Sequence, residues 1–189
     1  MIDFLIYWDT QLFIFLNGIH SPFWDDAMWW ITKTTLWIPL YLILAAFIIY
    51  KQRKQSYVTL LFIALLVLLS DQVSVHFFKD IFQRLRPCHT PELQDIVHLV
   101  KNKCGGKYGF VSSHAANTFA IASFLTFLFK YMPFTIFIFL WAVIVSYSRI
   151  YLGVHYPLDV ICGALLGFLI GFVVFKAYKL ANKRIFKQM

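Results

Sequence analysis

Long apolar stretches alternate with short polar ones along this chain. Five of them, at about residues 27–50, 56–78, 113–130, 133–151 and 157–180, reach or approach the ~20 residues that a helix needs to cross a bilayer. Lipid offers no partners for backbone N–H and C=O groups, and runs of this length exceed a barrel strand, so helices are predicted. The expected fold is an all-α integral membrane protein. It would be a bundle of about five transmembrane helices in a single domain over residues 1–189, with no internal repeat.

Residues 1–20 read differently. Phe4, Leu5, Tyr7, Trp8, Leu12, Phe13, Phe15 and Leu16 are interrupted by Asp3, Asp9, Gln11 and Asn17. The basic start and small-residue cleavage site of a signal peptide are missing. An amphipathic helix lying in the membrane interface is expected, with a sixth span as the alternative.

Composition excludes several classes. Of 189 residues, 60% are hydrophobic and 14% charged, against about a quarter charged in a soluble domain. An ordinary soluble domain and a disordered chain are thereby disfavoured, and three cysteines are too few for a disulfide scaffold. The net charge of +8 does not mark a nucleic-acid partner, because the basic residues are scattered among apolar runs.

Charge does suggest an orientation. Lys51, Arg53, Lys54, Lys130 and the tail over 181–189 with the lysines just before it place nine Lys/Arg and no carboxylate on one side. That side is expected to be cytoplasmic. Residues 1–27, with four Asp and no Lys or Arg, suit the opposite face. The remaining loop, 79–112, would then be external, yet it carries Lys79, Arg84, Arg86, Lys101, Lys103 and Lys107. Cations on that side call for an anionic ligand.

Three polar clusters fall at span ends on this external side. In the first, Lys79, Gln83 and Arg86 would share a face if the second span continued as an α-helix to Pro87. In the second, Ser112 or Ser113 is a natural N-cap before His114, and the free amides of a helix start bind anions. In the third, Ser148-Arg149 precedes His155, with Pro157 at a helix start and Asp159 within reach of the imidazole. Each cluster alone fits a bland role: snorkelling cations, a capping serine, a structural hydrogen bond. Together they offer cations, helix N-termini, two histidines and a carboxylate, the parts that phosphoryl transfer requires. The chain shows no Mg²⁺-type carboxylate cluster, zinc spacing or phosphate loop, so neither metal nor cofactor is expected.

Lys79-x6-Arg86-Pro87, Ser112-Ser113-His114 and Ser148-Arg149-x5-His155-x3-Asp159 together resemble the three-part signature of the type 2 phosphatidic acid phosphatase family. Val111 and Ser113 stand where that family has Pro and Gly. The resemblance implies a phosphatase in which His155 attacks phosphorus, Asp159 orients it and His114 protonates the leaving oxygen. Lys79, Arg86, Ser112, Ser113 and Arg149 would bind the phosphate. Substrates would be lipid phosphates in the bilayer, such as undecaprenyl diphosphate, phosphatidylglycerol phosphate, phosphatidic acid or lipid A, hydrolysed outside a bacterial inner membrane. Charge and spacing alone do not decide which histidine attacks, nor do they fix an oligomeric state.

Other polar residues are given quieter roles. Asp71 is expected to pair with a basic residue of the site, and Lys33 to snorkel. Cys88 and Cys104 are a candidate disulfide bracing the external loop, and Cys162 a packing residue. His20, His89 and His98 have no companion spacing. Gly163, Gly167 and Gly171 make a small-residue stripe suited to close helix packing. Two competing readings remain: a transporter or proton relay through Asp71 and His76, and a phosphate-lipid binding protein without turnover.

Overall fold

The computed structural model describes residues 2–186, so Lys187 at the end of the expected tail lies outside the described residues. Helices run over Ile2–Gly18 (α1), Pro22–Ile31 (α2), Ile38–Gln52 (α3), Ser56–Gln72 (α4), Asp80–Phe82 (α5), Ser113–Phe129 (α6), Met132–Tyr151 (α7) and Pro157–Phe186 (α8). No strand occurs among the described residues beyond one isolated bridge, Leu85 with Tyr108. The continuous stretch Thr34–Phe82, together with α7 and α8, is long and apolar enough to cross a membrane, and α6 is a shorter apolar helix. Arg53, at a left-handed φ of 47°, turns α3 back into α4. Five helices, α3, α4, α6, α7 and α8, therefore form an all-α transmembrane bundle. Its outer faces present Leu42, Leu61, Leu140, Leu165 and Leu169 to lipid.

Three boundaries differ from expectation. The stretch 27–50 is not one helix: Thr32 and Lys33 break it after α2, and a 3-10 turn, Thr34–Trp37, leads into α3. Hydropathy averaged over a window cannot see a few polar residues whose groups find partners, and here the Trp37 indole donates to the Ile31 carbonyl at 2.8 Å. The helix from Ser56 ends at Phe82 rather than at Pro87, because Gln83 takes a left-handed conformation (φ 46°). Finally, 181–186 is not a separate tail but the last turns of α8.

α1 buries its polar edge. Asp9, Phe13 and Asn17, spaced four apart and so on one face, are 4%, 1% and 2% exposed, whereas Phe4, Leu5, Trp8 and Phe15 face outward. Asp9 bonds the start of α8, and Asn17 bonds the carbonyls of Ile150 and Tyr151 at the end of α7. Both ends of the buried edge thus meet the same end of the bundle, and α1 lies across it.

The glycine stripe seats α8 on α6. A Cβ at Gly163 would stand 2.6 Å from the Ser112 carbonyl oxygen, one at Gly167 2.1 Å from that of Ala116, and one at Gly171 2.6 Å from that of Ala120. Only hydrogen at these positions allows the backbones to touch. Gly167→Ala should accordingly destabilise the bundle by about 1–3 kcal/mol or more through overpacking. Gly18→Ala, with open space around it, should leave stability unchanged. Thermal unfolding of the two variants in detergent checks the contrast.

Candidate active site

The second cluster meets the first through a π-helical turn. Between α4 and α5 the chain winds as a π-helix over Val73–Lys79. Residues five apart lie about 140° apart on an α-helix, but the wider turn brings Ser74 and Lys79 to one acceptor. Ser74 Oγ and Lys79 Nζ both donate to Ser113 Oγ, at 2.7 and 2.6 Å. The expected alignment of Lys79 with Gln83 and Arg86 is not made. Gln83 instead bends back onto the Asp80 carbonyl.

Arg86 arrives on a strap. Arg86 N donates to the Lys107 carbonyl at 3.2 Å and Gly109 N to the Arg84 carbonyl at 2.8 Å, so residues 84–86 run antiparallel to 107–109. A disulfide joins Cys88 to Cys104, with Cα atoms 5.9 Å apart, and closes the strap. The Arg86 guanidinium donates to the carbonyls of Tyr108 and Cys104. Its side chain is thereby aimed by the loop that the disulfide gathers.

His155 sits in the tight turn between α7 and α8. Gly153, at φ 78°, makes this turn possible, and the Val154 and His155 amides donate to the Arg149 carbonyl. His155 is 1% exposed and Asp159 not at all. Nδ1 of His155 faces Asp159 Oδ2 at 3.4 Å. The Asp159 carboxylate accepts from the Tyr156 amide (3.0 Å) and from Arg84 (2.9 Å), and His155 Nδ1 makes no hydrogen bond among the described residues. Arg84 reaches with its other nitrogen to Asp9 at 2.6 Å, and Asp9 accepts from the Leu158 amide at 2.8 Å. The guanidinium lies over the Tyr156 ring, 4.1 Å from its centroid.

Sequence reasoning counted Arg84 among the loop cations and Asp9 among interruptions of an apolar helix, so it missed both as supports of the site. It also missed Gly109 and Thr32. A Cβ at Gly109 would lie 3.1 Å from Asp159 Oδ2 and 3.5 Å from His155 Nδ1. Thr32, buried at the break after α2, accepts from Arg149 through its hydroxyl (2.6 Å), and its backbone meets the His114 ring. A buried acid in an apolar helix was the only signal available for Asp9. Nothing in the sequence pointed to Thr32 or Gly109.

Lys79, Arg86 and Arg149 converge on the histidines. All three act electrostatically on His155, and Arg149 and Lys79 also on His114. Burial first, then the fields of Arg149, Arg86 and Lys79, hold the His155 imidazole well below its ordinary pKa and so favour the neutral ring. Burial likewise pushes the Asp9 carboxyl up, while Arg84 and the Leu158 amide pull it back. None of the three converging cations makes an ion pair among the described residues, and Arg149 Nε is buried without a partner. Ser112 departs from expectation. It is fully buried, its amide donates to the Asp159 carbonyl and its hydroxyl caps α6, so it shapes the site from behind.

The other external cations are spoken for elsewhere. Lys101 pairs with Asp26, Lys101 and Lys103 lie near the Trp29 ring, and Lys107 lies against Tyr108. Lys33 rests on Trp30. Asp71 forms no ion pair among the described residues. It lines a cavity of about 510 Å³ between α3, α4 and α6, whose polar end also holds Thr32, Ser113 and His114 and whose far end reaches Ile48 and Leu125. His76 is exposed and pairs with Asp80 at 3.1 Å, so it does not continue a polar path from Asp71.

Arg84 bridges two buried carboxylates with a fork that an ammonium cannot copy. Arg84→Lys should lower the thermal midpoint by several degrees, and turnover should fall by about tenfold or more with KM little changed. Gly109→Ala, whose Cβ would crowd the His155–Asp159 pair and stand 3.2 Å from Cγ of the flexible Arg86 side chain, should lower kcat in a protein of near-normal stability. Thermal unfolding alongside steady-state kinetics separates the two effects.

Several known proteins are similar to this chain. The chain is 44% identical to lipid A 4′-phosphatase of Bacteroides thetaiotaomicron, over 97% of this chain and 81% of that protein. It is 36% identical to lipid A 4′-phosphatase of Porphyromonas gingivalis (96% and 78%) and 35% identical to undecaprenyl-diphosphatase of Sulfolobus acidocaldarius (87% and 76%). Among solved structures it resembles Aquifex aeolicus LpxE, with a TM-score of 0.65 at 27% identity over 88% of this chain and 94% of that one. It also resembles a PAP2-type phosphatidylglycerolphosphate phosphatase of Bacillus subtilis, with a TM-score of 0.67 at 26% identity over 95% and 88%. The sequence pattern of the PAP2 superfamily matches residues 57–183, which hold all three polar clusters, and the chain belongs to that superfamily.

Proposed function

We propose that this protein is a lipid phosphate phosphatase whose substrate is the 4′-phosphate of lipid A. The observation that carries the reaction class is the set of three unpaired cations around a neutral, buried imidazole. Cations held out of water without carboxylate partners are costly, and a phosphate dianion is the ligand that neutralises them. The names of the two relatives at 44% and 36% identity favour lipid A. The cavity fits the same class. From His114 to Leu125 its wall follows α6 for about 16 Å, an apolar slot for acyl chain beside a polar end for the headgroup.

The chemistry follows from the orientation of His155. With Nδ1 turned to Asp159, the proton resides there and the lone pair is on Nε2. Nε2 attacks phosphorus, a P–N bond forms and the bond to the sugar oxygen breaks. Lys79, Arg86, Arg149 and the first-turn amides of α6 hold the non-bridging oxygens. His114 delivers the proton to the leaving oxygen, and water then cleaves the phosphohistidine, with His114 taking up its proton. Asp159 stabilises the cationic ring between the two steps. The site would face the periplasm of a bacterial inner membrane, with the C-terminus cytoplasmic. The basic ends of α3, α6 and α8, with Lys51, Lys130, Lys183 and Arg184, support this placement, since they gather at the end of the bundle away from the site.

His155→Ala should lower phosphate release from lipid A by about 10³-fold or more. His114→Ala should cost roughly 10²–10⁴-fold on lipid A but little on activated aryl phosphates. Turnover at 25 °C should stay within about twofold in EDTA. Phosphate release from lipid A, undecaprenyl diphosphate and phosphatidylglycerol phosphate in mixed micelles measures all three; preference for either other lipid would overturn the substrate assignment.

The depressed pKa of His155 carries its own sign. The nucleophilic neutral ring persists below the ordinary value of about 6.5, so acid should protonate it only at lower pH. ¹⁵N-histidine NMR, with the resonance assigned by its loss in His155→Gln, should show a neutral ring at pH 6. A ring that titrates at 6.5 or above would contradict the burial argument.

A further inference from the structure

We propose that His20, Asp25 and His98 form a binding site for a divalent transition metal, suited to Zn²⁺, on the surface of the protein outside the catalytic centre. The histidines lie 78 positions apart in sequence, and their spacing predicted no association. The fold stacks them. Their ring centroids are 3.6 Å apart with an angle of 1° between planes. His98 Nε2 lies 2.9 Å from Asp25 Oδ1. One ligand atom from each of the three residues falls within 4.8 Å of the others.

The donor set is chemically specific. Two neutral imidazoles and a carboxylate suit zinc better than magnesium or calcium, and they leave a fourth position for water. Ligand bonds of 2.0–2.1 Å at tetrahedral angles put donor atoms about 3.3 Å apart. The His98–Asp25 edge is a few tenths of an ångström short of this, and the other edges exceed it by no more than about 1.5 Å. His20 can close that gap, because its side chain is exposed and makes no hydrogen bond among the described residues. The lone pairs lie in the ring planes, so the exposed His20 ring tilts out of the stack when both imidazoles meet one ion.

The remaining two ligands are held in advance. Tyr151, itself buried, donates its hydroxyl to Asp25 Oδ1 at 2.7 Å. The buried Asn17 clamps the backbone of His98, accepting from its amide at 2.8 Å and donating to its carbonyl at 3.1 Å. Gly153 admits that carbonyl so closely that a Cβ there would stand 2.8 Å from it. Supports of this kind are what a metal ligand needs to keep its orientation. The ion would staple the α1–α2 turn to the loop that leads away from Arg86, and so add stability without entering the reaction.

The test uses tag-free, full-length protein in nanodiscs, stripped with EDTA and dialysed, then titrated with Zn²⁺ by calorimetry. Bound metal is counted by mass spectrometry. The wild type is expected to bind one more equivalent than His20→Ala, or to bind it at least about tenfold more tightly. Zinc should raise the thermal midpoint of the wild type only. Removal of the exposed His20 ring leaves the Asn17 and Tyr151 bonds in place, so the variant should fold. Zinc held at His114 and His155, or at the exposed His76–Asp80 pair, would survive the substitution. Equal stoichiometry and affinity in the two proteins, or no binding to the wild type, overturns the proposal. Neither result bears on phosphatase activity.

Discussion

A carboxylate removed from water keeps its charge only if every lone pair that faces the interior is answered, and Asp159 has no contact with solvent. Arg84 answers one of its oxygens and the Tyr156 amide the other, which leaves an edge for the imidazole of His155. The same guanidinium holds Asp9, and Asp9 holds the amide at the start of α8. One planar fork thus ties together α1, the strap and the helix that carries the catalytic pair. Without this tie the carboxylate could not orient the ring. The N-terminal helix, which contributes nothing to the chemistry directly, is therefore part of the site's foundation.

The opposite electrostatic choice governs the front of the site. Behind His155 the two buried carboxylates both have a cationic partner, the shared Arg84. In front of it Lys79, Arg86 and Arg149 make no ion pair among the described residues. Matched charge stabilises the fold, while unmatched charge stores affinity for an anion. The division is spatial: Asp159 and Arg84 lie beneath the turn, and the three cations come from the π-helical turn, the strap and the end of α7. Close contact of α8 with α6 through Gly163, Gly167 and Gly171 then fixes the distance between the two histidine-bearing segments.

The bundle was legible in the sequence because hydropathy records what lipid demands of each helix, and four of the five spans differ from expectation only at their ends. The break after α2 was not legible, since a few hydrogen-bonded polar residues barely alter an average over twenty. The candidate reacting groups were legible as types at helix ends, and the family resemblance supplied proposed roles that spacing could not. What escaped was whatever depends on contacts between distant segments. Arg84 looks like any loop cation until Asp9 and Asp159 are brought to it. His20 and His98 look solitary until the α1–α2 turn meets the outer loop. A π-helical turn leaves no composition signature either, and it moved Lys79 off the face that α-helical periodicity assigned to it.

That turn bears on Ser113, which stands where the family has glycine. A glycine there would leave Lys79 and Ser74 with no side-chain acceptor on α6. The serine hydroxyl instead accepts from both, and it holds the lysine at the rim of the cavity beside His114. A parked lysine is already ordered, so in the proposed reaction less rotamer freedom would be lost when a phosphate oxygen took over as its partner. The hydroxyl also makes this rim more polar than a glycine would. Thr32 and Asp71 line the same rim, so the wall that a lipid headgroup crosses is hydroxyl-rich and carries one carboxylate. In the proposed reaction the cations would select the phosphate, and this rim is where one phosphorylated headgroup would be told from another.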